Sequence, residues 1–175
     1  MRNCIRFAKI LLLVGLVVLG AACQAPQVQG LRSVDWQVKS SYQRQDMLEM
    51  QWKKTTFSLL LYQEEKAGVL SMVGLSLTGQ PLFELTFDGK QVRIQQRIDA
   101  MRLLPFDFLV RDILFATYPA FQPQNSKVIL DQSHHYIDIN NTRVLDIDIQ
   151  PQQVVLQNIQ VPYSIVFSQI PEGLQ

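Results

Sequence analysis

Residues 104–118 (LPFDFLVRDILFATY) form one stretch with the period of a helix, while before and after it apolar residues recur at every second position. Phe106, Leu109, Val110, Ile113 and Ala116 fall on one helical face, and Phe108, Leu114 and Phe115 widen it. A helix this apolar has to be largely buried, and its surroundings read mostly as strands. The fold is therefore constrained to a sheet that curves around a single helix. Pro105 suits a first helical turn, where its missing N–H would have no partner, and Pro119 and Pro123 stop the run.

The alternating segments give the sheet. Phe57, Leu59 and Leu61 alternate with Ser58, Leu60 and Tyr62, and Phe83, Leu85 and Phe87 alternate with Glu84, Thr86 and Asp88. Asp88-Gly89 then leads to Val92 and Ile94, a hairpin signal that predicts a turn with both central residues at positive φ. Ile137 and Ile139 precede an Asn140-Asn141 turn, followed by Leu145, Ile147 and Ile149 with Asp146 and Asp148 facing the other way. Pro151 breaks that run before residues 154–159, and Tyr163, Ile165 and Phe167 alternate near the end. Strands at this spacing predict an antiparallel sandwich or a barrel-like curved sheet. The period of two puts Phe57, Leu59, Leu61, Phe83, Leu85, Phe87, Val92 and Ile94 on one concave face, with Phe106, Leu109 and Ile113 of the helix against it. Two readings fit that face: the lining of an apolar ligand cavity in an open curved sheet, or a closed, filled core.

The amino terminus carries a different signal. Basic Arg2, Arg6 and Lys9 precede an apolar run over residues 10–19 and then Gly20-Ala21-Ala22-Cys23, the order of a secretory signal peptide ending at a cysteine. The run falls short of the ~20 residues that span a bilayer. Residues 1–22 are expected to be a lipoprotein signal, Cys23 the lipid-attachment residue, 23–30 an acylated polar tether and 31–175 one domain. Gln24 after the cysteine, in place of Asp, points to the outer membrane and a periplasm-facing domain. The other cysteine, Cys4, lies in the discarded segment, so no disulfide, thiol catalysis or cysteine metal site is expected.

Charge narrows the partners. Cleavage removes three of the 16 basic side chains and none of the 15 acidic ones, leaving 13 against 15 and a formal charge of −2. Such a chain has no electrostatic footprint for nucleic acid, and its membrane contact is expected to come from the acyl anchor.

The remaining motifs carry little chemistry. Gly74-Leu75-Ser76-Leu77-Thr78 lacks the second glycine of a nucleophile elbow and reads strand to strand. His134 and His135, as neighbours in a strand, point to opposite faces and do not converge on a metal. Asp146 and Asp148 share a face that reads as solvated, Asn140-Asn141-Thr142 reads as a turn, and Trp36 and Trp52 read as packing residues. No catalytic residue, metal or cofactor is expected, and the chain is not read as an enzyme.

The stretch VGLSLTGQPLFELTFDGKQVRIQQ, followed by LLPFDFLVRDILFATYP, resembles a family of bacterial lipoproteins of undefined function found beside aryl polyene and related biosynthesis genes, itself similar to LolB, the outer-membrane lipoprotein receptor, and to its soluble partner LolA. The resemblance runs over roughly residues 41–169 by order of elements, and its specific part is 73–119. It implies a mainly β fold with α: a curved antiparallel half-barrel, lined with apolar side chains and covered by helices, that holds acyl chains. In LolB a leucine on a strand-to-strand loop enters the membrane, and the matching loop here, 75–79, makes Leu77 the nearest equivalent, although the loop is shorter and lacks the Pro-Leu-Gly order. The expected function is an outer-membrane lipoprotein that binds or transfers acyl chains, lipids or lipidated cargo at the periplasmic face, with the membrane and a LolA-like periplasmic carrier as partners. The alternative is a non-catalytic anchored accessory subunit with a filled core.

Overall fold

The computed structural model describes residues 28–31, 42–118 and 121–170; Cys23, Trp36 and Pro119, singled out above, lie outside them. Ten strands form one antiparallel sheet: β1 (Gln43–Trp52), β2 (Thr55–Lys66), β3 (Val69–Ser76), β4 (Pro81–Phe87), β5 (Val92–Arg97), β6 (Ser126–Asp131), β7 (His134–Ile139), β8 (Thr142–Ile149), β9 (Gln153–Asn158) and β10 (Tyr163–Ser168). Their order across the sheet is β5-β4-β3-β2-β1-β10-β9-β8-β7-β6. Two meanders therefore meet where β1 pairs with β10, Leu48 opposite Phe167 and Trp52 opposite Tyr163. The strands at the two edges, β5 and β6, are not paired with each other, so the sheet is open. The stretch that links these edges contains a 3-10 turn (Asp99–Met101) and the one α-helix among the described residues, α1 (Phe106–Thr117).

Alternation decides which side chains face inward. Leu48 and Met50 of β1, Phe57, Leu59 and Leu61 of β2, Leu70 and Met72 of β3, and Phe83, Leu85 and Phe87 of β4 are buried in one continuous core. Leu145, Ile147, Leu156, Ile165 and Phe167 extend that core across the second meander. Gly74 opposes Phe83 across the β3–β4 pair, and a Cβ at Gly74 would collide with the Phe83 ring. The missing side chain lets that ring turn toward α1, where it meets Phe106 edge to face with centroids 5.4 Å apart.

Two expectations need correction. The Asp88-Gly89 turn is not a two-residue hairpin: β4 ends at Phe87 and β5 begins at Val92, and of these two residues only Gly89 has positive φ, at 83°. The Asp88 carboxylate instead accepts backbone N–H bonds from Lys90 (3.0 Å) and Gln91 (2.8 Å), which hold its pKa below the usual carboxylate value. Two-residue turns with both residues left-handed are Asn140-Asn141, at φ 51° and 62°, and Ala67-Gly68, at φ 53° and 81°. Ile94 pairs with Leu85 and so shares its face, but it lies on an edge strand and stays 39% exposed. Val92, also on β5, is half-buried against the core.

Candidate functional site

The sheet brings together most of the residues expected to line its concave face. Phe57, Leu59, Leu61, Phe83, Leu85 and Phe87 are buried, and Phe106, Leu109 and Ile113 of α1 are buried in the same core. The interior face is thus occupied by the helix. Leu77 is 51% exposed in the β3–β4 turn, where Gly79 N–H donates to Ser76 O (2.8 Å) and the Ser76 and Thr78 hydroxyls lie 2.9 Å apart.

The helix is buried over more of its surface than its apolar face alone requires. Arg111 and Asp112, on its middle turn, are both fully buried. Arg111 Nε donates to Asp112 Oδ1 at 2.7 Å, and Arg111 Nη1 donates to Gln29 O (2.9 Å) and Gln160 Oε1 (3.1 Å). The other carboxylate oxygen of Asp112 accepts from Asn158 Nδ2 at 2.5 Å and from the Tyr163 hydroxyl. Asn158 Oδ1 in turn accepts the backbone N–H of Val161 at 2.7 Å, which fixes the turn between β9 and β10. Arg111 also lies over the Phe108 ring, 5.1 Å from its centroid. Its Nη2 is buried without a hydrogen-bond partner among the described residues.

Burial pushes the Asp112 carboxyl above the usual carboxylate value, against the pull of Arg111 and of the hydrogen bonds from Tyr163 and Asn158. Burial, and then the charge of Asp112, raises the Tyr163 hydroxyl well above its ordinary value. A second tie sits at the carboxyl end of the helix. The Tyr42 hydroxyl donates to Thr117 Oγ1 (3.0 Å), and the Thr117 hydroxyl donates to Ile113 O (2.7 Å). Gln63 Oε1 lies 3.4 Å from both the Tyr42 and Thr117 hydroxyls. An apolar helix surface can slide or rotate at little cost, whereas directional bonds to a buried charge fix one register, because leaving that charge unpaired is strongly unfavourable.

These ties were absent from the sequence reading, which gave Arg111 and Asp112 no role. A signal was present: Asn158 falls at an inward position of β9, two residues after Leu156, where an apolar side chain is the rule. The other polar motifs lie where the sequence put them. Asp146 and Asp148 face outward, Asp148 accepting from Ser133 (2.9 Å) and Gln150 (2.7 Å), while Arg143 pairs with Asp138 at 2.6 Å. His134 is on that outer face opposite Asp148, and His135 faces the other way opposite Ile147. Trp52 is half-buried, packed against Tyr163 with ring centroids 6.2 Å apart.

The model of a family described as "Protein of unknown function (DUF3261)" matches residues 43–171. No curated protein matches the chain.

Proposed function

That match runs from β1 past β10, so the chain belongs to the DUF3261 family, and on this footing we propose that it is an outer-membrane lipoprotein whose curved sheet shelters an acyl chain at the periplasmic face. The cargo is a lipid or a lipidated molecule. In this reading the sheet is a LolB-like half-barrel, akin to the lipoproteins associated with aryl polyene genes, and α1 takes the cargo's place when none is bound.

The observation that carries the proposal is the apolar helix α1, the one helix among the described residues, which in chain order joins the two unpaired edge strands of an open sheet and is tied to that sheet by side chains. Energetics make the exchange plausible in magnitude. Taking a ~14-carbon chain out of water is worth on the order of 10 kcal/mol, at ~0.8 kcal/mol per CH₂. Uncovering the buried apolar side chains Phe106, Phe108, Leu109, Val110, Ile113 and Leu114 would cost about 9–18 kcal/mol at ~1.5–3 kcal/mol per side chain. A chain in water offsets the lower end of that cost, enough to lift part of the helix from its seat. A chain already in a bilayer gains nothing by entering, and the helix returning to its seat drives it out. Cargo therefore arrives from a soluble carrier of the LolA type and leaves to the membrane. Leu77, exposed beside Gly79, is the membrane contact that presses the opening to the bilayer.

The test is saturable uptake of a fluorescent fatty acid by the purified lipoprotein, with native mass spectrometry for co-purified lipid. Leu85→Trp should abolish uptake, with the ~1–3 kcal/mol loss of stability that overpacking a core filled by α1 brings, and Leu77→Glu should keep fold and uptake but lose transfer to liposomes. A second reading, an anchored accessory subunit with a permanently filled core, is favoured by the full burial of Leu59, Leu61 and Leu85. It predicts no uptake by the wild-type protein and no co-purified lipid.

A further inference from the structure

The register of the sheet sends the turns β1–β2, β3–β4, β7–β8 and β9–β10, together with the exit of β5 into the 3-10 turn, to one end of the molecule. Three strongly exposed apolar side chains stand at that end on three separate loops: Leu77 (51%), Leu103 (72%) and Ile159 (52%). Lys53 and Lys54 form the β1–β2 turn, and exposed Arg97 and Arg102 flank the 3-10 turn. Leu103 and Arg102 share a surface groove of about 450 Å³ with Trp52, Lys53 and Asp99. Asp99 is the one acidic side chain in its lining.

The chain's own path says which way this end faces. Gln29 is fastened there: its carbonyl accepts from Arg111, and its side-chain oxygen accepts from Asn140 Nδ2 in the β7–β8 turn at 3.1 Å. Leu31 follows and is buried in the core. Cys23 lies five residues before Val28, and at ~3.5 Å per residue it can be no more than about 17 Å from it. An acyl group on Cys23 therefore holds this end against the bilayer that receives it.

We propose that Leu103 and Ile159, with Lys53, Lys54, Arg97 and Arg102 around them, form a bilayer-docking rim that takes anionic phospholipid headgroups. Each apolar side chain enters the interface, and each cation adds attraction to an anionic surface. The rim rests on the anchoring at Cys23 proposed above, yet it makes a separate claim: the domain stands on the membrane in one orientation.

The test uses the acylated lipoprotein reconstituted in phosphatidylethanolamine/phosphatidylglycerol vesicles. Leu103→Cys, Ile159→Cys and, at the opposite end, Leu130→Cys are each labelled with an environment-sensitive dye. Labels at 103 and 159 should shift to the blue and be quenched by brominated lipids, while the label at 130 stays in water. Labels at 103 and 159 that remain in water, or a label at 130 quenched as strongly, overturn the rim. Lys53→Glu with Lys54→Glu, far from the core, should weaken binding of an unacylated chain to the same vesicles by about fivefold or more per site. An unchanged affinity overturns the electrostatic part.

Fatty-acid uptake in Leu103→Glu/Ile159→Glu keeps the two readings apart. Uptake retained while docking is lost supports the rim. Docking seen in a chain that takes up no fatty acid sinks only the carrier reading. Should mass spectrometry find no acyl group on Cys23, the anchor fails, and flotation of that chain with anionic but not neutral phosphatidylcholine vesicles still decides the rim.

Discussion

The two sides of α1 solve the same burial problem by different physics. On one side Phe106, Leu109 and Ile113 join the apolar core. On the other, Arg111 and Asp112 are equally buried but meet Asn158, Tyr163, Gln160 and the backbone of Gln29 through hydrogen bonds. Apolar contact is non-directional and scales with area, so it holds the helix inside the sheet without choosing one rotation. Buried charges tolerate little misplacement, since an unpaired one is strongly unfavourable. The apolar side supplies most of the energy, and the polar side supplies the register.

The comparison breaks most visibly at Asp112. Asp112→Ala should cost about 3–5 kcal/mol, the range for a buried pair that loses one partner, because the Arg111 guanidinium keeps its charge with no counterion. Arg111→Met should cost less, because the Asp112 carboxyl is already pushed up by burial and can take a proton. Replacing both by apolar residues should recover much of the loss. Denaturant unfolding measures all three, and hydrogen exchange should show the loss of protection in Asp112→Ala falling first on the amides of α1. Equal losses in the two single variants would mean that the pair is not organised around the acid.

On the apolar side, Ile113→Ala should cost about 2–5 kcal/mol by leaving a cavity, with the exchange pattern of the helix unchanged in kind. A helix that shifts register in this variant would show that the polar ties do not set it. Tyr163→Phe removes one donor to Asp112 and should cost about 1.5–3 kcal/mol, the range for hydrogen bonds to charged groups.

The smallest expected effect is a slope with pH. The folded-state pKa of Asp112 is raised, so the folded protein holds that proton to higher pH than the unfolded chain does. Its contribution to stability is fully present below the ordinary carboxylate value and falls as pH rises through the window up to the folded value. The stability difference between wild type and Asp112→Asn should therefore narrow as pH rises above about 4. A gap that widens over that range would show that Arg111 and the hydrogen bonds outweigh burial and hold the folded-state pKa below the unfolded one.

Much of the sheet was legible before the structure. β2, β4 and β10 alternate strictly because one face of each lies on the core, β8 does so only after the adjacent buried pair Val144 and Leu145, and α1 occupies most of its expected stretch. β1 was not legible. Its inward positions run Asp46, Leu48 and Met50, and the acid at the first of them, buried and paired with Arg44 at 2.7 Å, disguises the period. β6 was missed as well. Val128 and Leu130 share faces with Ile137 and His135, but on an edge strand they remain exposed, and the remainder of β6 is largely polar. The polar ties of α1 were missed because two adjacent charges on a helix read as its solvent side unless something is known to cover them.

What the sequence by itself determined is local: the period of each segment, the turn at Asn140-Asn141, the reach of the helix, and the small set of chemistries that two histidines and two cysteines leave open. Those follow from backbone sterics and side-chain spacing within a few residues. The tertiary structure alone decided that the sheet curves far enough to cover the second side of α1, which turned Arg111 and Asp112 from surface charges into a buried pair. It alone gathered Leu77, Leu103 and Ile159 from three loops to the end where Gln29 is fastened. Both outcomes depend on which strands pair across more than a hundred residues, β1 with β10 above all, and no local preference encodes that distance.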